Sequence, residues 1–170
     1  MQLNGLIYTL PRELKLLIGT FVIVLSIGFY TGLFFVSETS SANPNGIKEQ
    51  YLGNENDEDA EVMKFKKSDK EMLALVHNHI LSMSIIFFLL GGILSITQLE
   101  KKLKMFLIIE PFLSVLLTFG GLYFLWKGVL WMTYVVIFSG ILMTLTYTVA
   151  IAIILYQVKS NFFQINNVDY

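Results

Sequence analysis

Cysteine is absent from this 170-residue chain, and charged residues are scarce. Without cysteine the protein has no disulfide, thiolate metal site or thiol nucleophile. Only 15 % of the residues are charged and 55 % are hydrophobic, whereas an ordinary soluble domain has about 25 % charged residues. This composition excludes a soluble globular enzyme and a disordered chain. The net charge of −1 gives no electrostatic basis for binding nucleic acid.

The apolar residues are concentrated in four blocks, and each is long enough to cross a bilayer. A helix needs about 20 residues to cross about 30 Å of hydrocarbon, and it satisfies its own backbone polar groups there. The blocks comprise residues 16–36, 72–97, 105–126 and 129–158. Since the last two connections are short, sequential helices should be antiparallel neighbours. The sequence predicts an all-α integral membrane four-helix bundle that forms a single domain over residues 1–170.

The first apolar block differs from a signal peptide in its length. It contains about 21 residues, whereas the hydrophobic part of a signal peptide has about 7–15. We therefore expect a retained membrane span rather than a cleaved leader.

Residues 37–71 form one extramembrane polar segment between the first two spans. The sequence Asn-Pro-Asn-Gly at 43–46 predicts a turn, and the acidic and basic runs that follow are typical of a solvated, partly ordered loop. At the end of the segment, Ser68 and Glu71 have the spacing of a capping box. This spacing predicts that the second long helix begins near Asp69.

The distribution of basic residues favours one orientation in the membrane. The twelve Lys and Arg residues divide evenly between the two sides of the four spans. However, Arg12 and Lys15 precede the first span, and Lys101, Lys102 and Lys104 crowd one short loop. By the positive-inside rule we expect both termini in the cytoplasm and residues 37–71 outside, in the cell inner (plasma) membrane.

Small residues within the spans predict where helices approach closely, because burial alone does not associate helices in lipid. The first span contains Gly28-x-x-x-Gly32, and the second contains Gly91, Gly92 and Ser95. These positions could pack helices within the bundle. Alternatively, Gly28 and Gly32 could bind another subunit or a second copy of the chain.

The only two histidines, His77 and His79, lie near the start of the second span. Residues i and i+2 of a helix are about 200° apart, so both rings cannot face one point. Haem b or a transition metal would use such ligands, but a further ligand must then come from elsewhere. A structural role at the interface and proton handling are the alternatives. We expect His77 to face a neighbouring helix, because Ser84, Gly91 and Ser95 share its stripe.

Glu110 is an acidic residue inside the third span, and an intramembrane carboxyl group is a functional candidate by default. It lies roughly 9 Å beyond Lys104 along the helix. The next residue, Pro111, has no N–H and frees the carbonyl of Leu107. We expect hydroxyl groups of the fourth span as its partners. Glu110 is either a structural acid near the interface or a proton-coupling group, and it should lie far from the histidines.

One part of the chain carries a family resemblance. Residues 67–71, the sequence His77-Asn78-His79 and the pair Phe87-Phe88 resemble a group of uncharacterised small bacterial four-span membrane proteins. Members of that group have a His-x-His at the start of a hydrophobic helix, and residues 51–55 are also similar to them. The resemblance implies a membrane protein but no established activity.

No arrangement of a nucleophile and a base, phosphate-binding loop or nucleotide motif is visible in the sequence. We therefore expect a non-catalytic accessory or assembly subunit of a membrane complex, whose partners are the bilayer and other membrane subunits or a second copy. A haem- or metal-binding redox protein that uses His77 and His79 is one alternative. A proton-coupled membrane component that uses Glu110 is the other.

Overall fold

The computed structural model describes residues 3–40, 43–55, 57, 60 and 62–160. Within these residues a short 3-10 helix, Leu6–Thr9, is followed by five α-helices. The α-helices are α1 (Arg12–Ser40), α2 (Pro44–Leu52), α3 (Asp69–Ser95), α4 (Lys101–Trp126) and α5 (Met132–Ser160). All except α2 are long and apolar enough to cross a membrane. The predicted all-α fold with four candidate spans is therefore confirmed.

The helix ends depend on caps and turns as well as on hydrophobicity. The Ser68–Glu71 capping box is present, and α3 begins at Asp69 as predicted. In contrast, α5 begins at Met132 rather than at residue 129. Gly128 has a φ of 100°, and its N–H donates to the Leu125 carbonyl at 2.8 Å. This left-handed residue breaks the helical path, so α5 starts only after the turn is complete.

Helix α2 lies within the polar segment, where the sequence predicts only a turn and a solvated loop. The side chain of Asn43 accepts a hydrogen bond from the Gly46 N–H at 2.8 Å, and Pro44 occupies the first turn. Asn is a favoured N-cap, and Pro fits a first turn that needs no N–H donor. The residues that predict a turn therefore begin a helix here, and Ile47 of that helix is buried.

The core of the bundle is formed mainly by α4 and α5. Half of the most apolar stretch of α4 (50 %) and 39 % of that of α5 are buried, against 11 % for α3 and 6 % for α1. Thr118 Oγ1 of α4 lies 2.7 Å from Ser139 Oγ of α5, so the two hydroxyls form a hydrogen bond. A Cβ atom on Gly121 would lie 2.9 Å from Val136 Cγ2. A side chain at position 121 would therefore force Val136 or the helix to shift, so this close approach favours glycine.

At one end of the bundle, called the α2 end, the polar segment is tied to α1 and α4. Lys64 Nζ donates to the Thr39 carbonyl at 3.0 Å, and Trp126 Nε1 donates to the Lys67 carbonyl at 2.8 Å. The ammonium group of Lys66 in this segment lies 5.3 Å from the centre of the Trp126 ring, within the range of a cation–π contact. These contacts fix the polar segment against the bundle.

The chain after α2 reverses at Gly53, which has a φ of 82°. The side chain of Asn54 then forms hydrogen bonds with the backbone of the returning segment. Its Oδ1 accepts from the Lys64 N–H at 2.6 Å, and its Nδ2 donates to the Val62 carbonyl at 3.0 Å. Burial beside this reversal raises the pKa of the Tyr51 phenol, because a buried phenolate is poorly solvated.

At the opposite end, called the α3–α4 end, polar side chains close the turn between α3 and α4. Lys104 Nζ donates to the carbonyls of Ser95 at 3.0 Å and Thr97 at 2.6 Å. Gln157 of α5 forms two hydrogen bonds with the backbone of Gln98, one at its N–H (2.7 Å) and one at its carbonyl (2.8 Å). These bonds satisfy carbonyl and N–H groups that the helix ends leave open.

Candidate functional site

Glu110 is buried in α4, with 6 % of its surface exposed. Its Oε1 accepts a short hydrogen bond from Ser114 Oγ, one turn further along the same helix. Its Oε2 is also buried and has no hydrogen-bond partner within the described part of the chain. The expectation that the fourth span supplies the partner is therefore wrong for this bond. The hydroxyl of Thr146 on α5 donates instead to the Leu142 carbonyl of its own helix at 2.9 Å.

Glu110 begins a row of buried polar side chains at the α4–α5 contact. Ser114 (1 % exposed) and Thr118 (8 % exposed) follow it at intervals of four residues, so all three lie along one side of α4. Thr118 in turn meets Ser139 of α5. Beyond Thr118, the buried residues on this side of α4 are apolar, beginning with Leu122. The row therefore ends inside the bundle.

The structure places the two histidines at the α2 end and does not bring them to Glu110. Both are exposed. The ring of His79 lies 4.8 Å from that of Phe119 on α4, and its Nδ1 is 2.8 Å from the Leu75 carbonyl. Phe119 is nine residues from Glu110, which is about 13 Å along the helix.

The expectation that His77 faces a neighbouring helix is not met. Buried Phe87, Leu90 and Leu94 mark the side of α3 that faces the core. At 3.6 residues per turn, His79 lies about 50° from the middle of that side and His77 more than 100° from it. The ring that touches a neighbouring helix is therefore that of His79.

A metal or haem site at the histidines would need ligands from elsewhere. Across residues 3–40, 43–55, 57, 60 and 62–160, no group of three or more His, Asp or Glu side chains is placed to hold a metal ion. The candidate ligands Asp69 and Glu71 lie in the first turn of α3. The Glu71 carboxylate is engaged by the Ser68 N–H at 2.8 Å.

The small residues of the spans divide into two groups. A Cβ atom on Gly91 would lie 3.6 Å from Ile108 of α4, so Gly91 faces a helix contact. Gly92 has no atom within 4 Å of such a Cβ, and Ser95 Oγ donates to the Gly92 carbonyl at 2.7 Å within α3.

Gly28 and Gly32 of α1 are both exposed. No described atom of another helix lies within 4 Å of a Cβ built on either of them. They therefore make no helix contact within the described residues. The Gly-x-x-x-Gly face points away from the bundle.

The contacts of two sets of polar residues were missed by sequence reasoning. Ser114 lies four residues after Glu110, and this helical spacing was a signal for their hydrogen bond. Lys104 and Gln157 close the α3–α4 end, but their partners are backbone groups of another segment. No local pattern marks such partners, because they depend on which loops the fold brings together.

A comparison with known families agrees with this architecture. A family model described as a transmembrane helical domain matches residues 41–162, a range that includes all of α2 to α5. Neither a curated protein nor a solved structure matches the chain. Helix α1 lies before the matched range. Since the match covers well over half of the chain, the protein is a multi-pass membrane protein that belongs to this family of transmembrane helical domains.

Proposed function

We propose that this protein is a non-catalytic accessory or assembly subunit of a membrane complex, and that α1 is the helix that meets its partner. The observation that carries this proposal is the open Gly28-x-x-x-Gly32 face of α1, where no described atom of another helix lies within 4 Å of a Cβ built on either glycine. Small residues let two helix backbones approach closely in lipid, where packing and hydrogen bonds drive association. A helix of the partner complex would fit this face.

The shallow packing of α1 supports the same proposal. Only 6 % of its most apolar stretch is buried, and its buried residues are Lys15, Val22 and Ser40. Its outer surface carries the exposed aromatic rings of Phe34 and Phe35, each 66 % exposed. Aromatic side chains contribute large contact areas when they become buried. Helix α1 therefore has surface to offer a second membrane helix.

Replacement of the two glycines tests the proposal. We expect Gly28→Leu and Gly32→Leu to release the protein from the complex with which it co-purifies in mild detergent, because a Leu side chain holds two backbones apart. Gly92→Leu is the matched control, since Gly92 is an exposed glycine of another span with open space beside it. The measurement is native electrophoresis followed by identification of the co-migrating proteins.

Two outcomes would contradict the proposal. One is migration of the wild-type protein as a lone monomer under the mildest extraction conditions. The other is an unchanged complex in both α1 variants. A complex that contains only copies of this chain would replace the accessory role with self-association.

We further propose that the protein lies in the inner (plasma) membrane, with both termini in the cytoplasm and α2 outside. The support is the cluster of Lys101, Lys102 and Lys104 at the α3–α4 end and the basic residues that precede the first span. We also propose that the His-x-His at residues 77–79 is a feature shared with the small membrane proteins that the chain resembles.

A further inference from the structure

The carboxyl group of Glu110 has surroundings that suit its neutral form. Oε1 accepts from Ser114 Oγ, whereas the buried Oε2 has no partner among the described residues. An ionised carboxylate with one oxygen unpaired is costly in an apolar environment.

The local balance of donors and acceptors points in the same direction. Pro111 has no N–H, so the buried Leu107 lacks the donor that its carbonyl would normally receive from position 111. Leu107 lies three residues before Glu110 and so beside it on the helix surface. An ionised Glu carboxylate brings only acceptors to this place, whereas the neutral acid brings one O–H donor. The neutral acid therefore adds one donor near a position where Pro111 supplies one donor fewer.

The charged and titratable groups of the neighbouring helices do not neutralise Glu110 directly. In α5 these groups are Tyr134, Tyr147, Tyr156 and Lys159. In α3 they are Asp69, Lys70, Glu71, His77 and His79, all within its first three turns, and in α2 they are Lys48, Glu49 and Tyr51.

Tyr147 lies at about the height of Glu110, because Thr118 pairs with Ser139 and Gly121 with Val136. However, the Tyr147 ring stacks on Phe29 of α1 at 3.8 Å.

An open groove along the exposed face of α4 extends from Glu110 towards the α3–α4 end of the bundle. It has a volume of about 700 Å³. Its lining comprises Glu110, four apolar side chains of α4, and Lys101 and Lys102 at its mouth. The two lysines lie eight and nine residues before Glu110, which is at least about 12 Å along the helix. They can attract water and ions to the mouth without pairing with the carboxylate.

From this geometry we propose that Glu110 is a proton-binding site that is reached from the α3–α4 end through this groove. The carboxyl group takes up and releases one proton there. The polar row continues through Ser114 to Thr118 and Ser139 and is followed by apolar residues, so the site is a dead end rather than a path across the membrane. The ligand of the site is a single proton.

A hydrophobic carbodiimide reports on such a site, because it reacts with a neutral carboxylic acid inside a membrane. The carboxyl proton moves to a nitrogen of dicyclohexylcarbodiimide, and the carboxyl oxygen bonds to its central carbon. The O-acylisourea then rearranges to a stable N-acylurea, with no redox change. We expect the full-length protein in phosphatidylcholine nanodiscs to gain one such adduct at neutral pH. Peptide mapping should locate the adduct on Glu110.

Variants and pH provide the controls. The adduct should disappear in Glu110→Gln and persist in Glu71→Gln, whose carboxyl group is exposed at the α2 end. Labelling should fall as pH is raised.

Three results would overturn the proposal. The first is an equal adduct in wild-type protein and Glu110→Gln. The second is the absence of an adduct on Glu110 in folded wild-type protein at every pH tested. The third is labelling of Glu110 that does not change with pH. Because peptide mapping of the wild-type adduct needs no variant, the test holds even if Glu110→Gln does not fold.

Discussion

The requirement for glycine at position 53 arises from both its backbone angle and its surroundings. Its φ of 82° lies in the left-handed region, which residues with a Cβ rarely adopt. A Cβ atom there would also lie 2.7 Å from the Lys66 backbone nitrogen and 3.0 Å from the Lys64 carbonyl oxygen. The chain reversal after α2 therefore depends on a residue without a side chain.

We expect Gly53→Ala to destabilise the polar segment by about 1–3 kcal/mol, the usual cost of a strained backbone position. The measurement is limited proteolysis between residues 53 and 67, with thermal unfolding in detergent as a second readout. Gly92→Ala is the control, because Gly92 is helical and has open space beside it. Equal protease resistance of the wild type and Gly53→Ala would show that the reversal tolerates a side chain.

Among the elements, α4 and α5 are the two most buried spans, and they pack against each other. Thr118 and Ser139 bridge the two helices at 2.7 Å. Ser139 Oγ also lies 2.7 Å from the Val135 carbonyl of its own helix. Because a hydroxyl in a membrane helix can satisfy itself locally, hydrogen bonds between helices contribute less than their low-dielectric surroundings suggest.

A double-mutant cycle of Thr118→Val and Ser139→Ala measures this contribution. We expect a coupling free energy of about 0.6 kcal/mol, the average for hydrogen bonds between membrane helices. The readout is the free energy of unfolding in mixed detergent micelles. A coupling energy several times larger would mean that the polar row is a main source of stability, and a value of zero would mean that the two hydroxyls act independently.

The elements also show how far sequence alone can lead. Long apolar runs predict the four spans, because hydrocarbon thickness sets a length that few other structures need. Helix α2 was not predicted, because Asn43 and Pro44 are favoured both in turns and at the start of helices. The prediction that Glu110 would be an unusual residue rested on its place in an apolar run. Its bond to Ser114 and the contact between His79 and Phe119 depend on side-chain orientation, which composition does not determine.

Across the whole molecule, the two ends are closed by different means. At the α2 end, a folded polar segment is fastened to α1 and α4 through Lys64 and Trp126. At the α3–α4 end, Lys104 and Gln157 hold a short turn. If the protein spans a membrane, the two ends lie on opposite sides of it, and a reagent added on one side should reach only one end.

Because the chain has no cysteine, single cysteines can report the orientation without background. We expect a membrane-impermeant maleimide to label Lys70→Cys in intact cells. It should label Lys101→Cys only after the membrane is permeabilised. Both positions are exposed in the structure. The reverse pattern would place α2 in the cytoplasm.

The loose embedding of α1 has a consequence for how the protein can change over evolutionary time. Substitutions in α4 or α5 disturb a neighbour in the core, whereas most positions of α1 face lipid and tolerate any apolar side chain that keeps the helix. The first helix can therefore diverge more freely than α4 and α5, which are the most buried spans and constrain one another. Selection on α1 would come chiefly from its contacts with other molecules. Its slowly changing positions would therefore identify the surface that binds them.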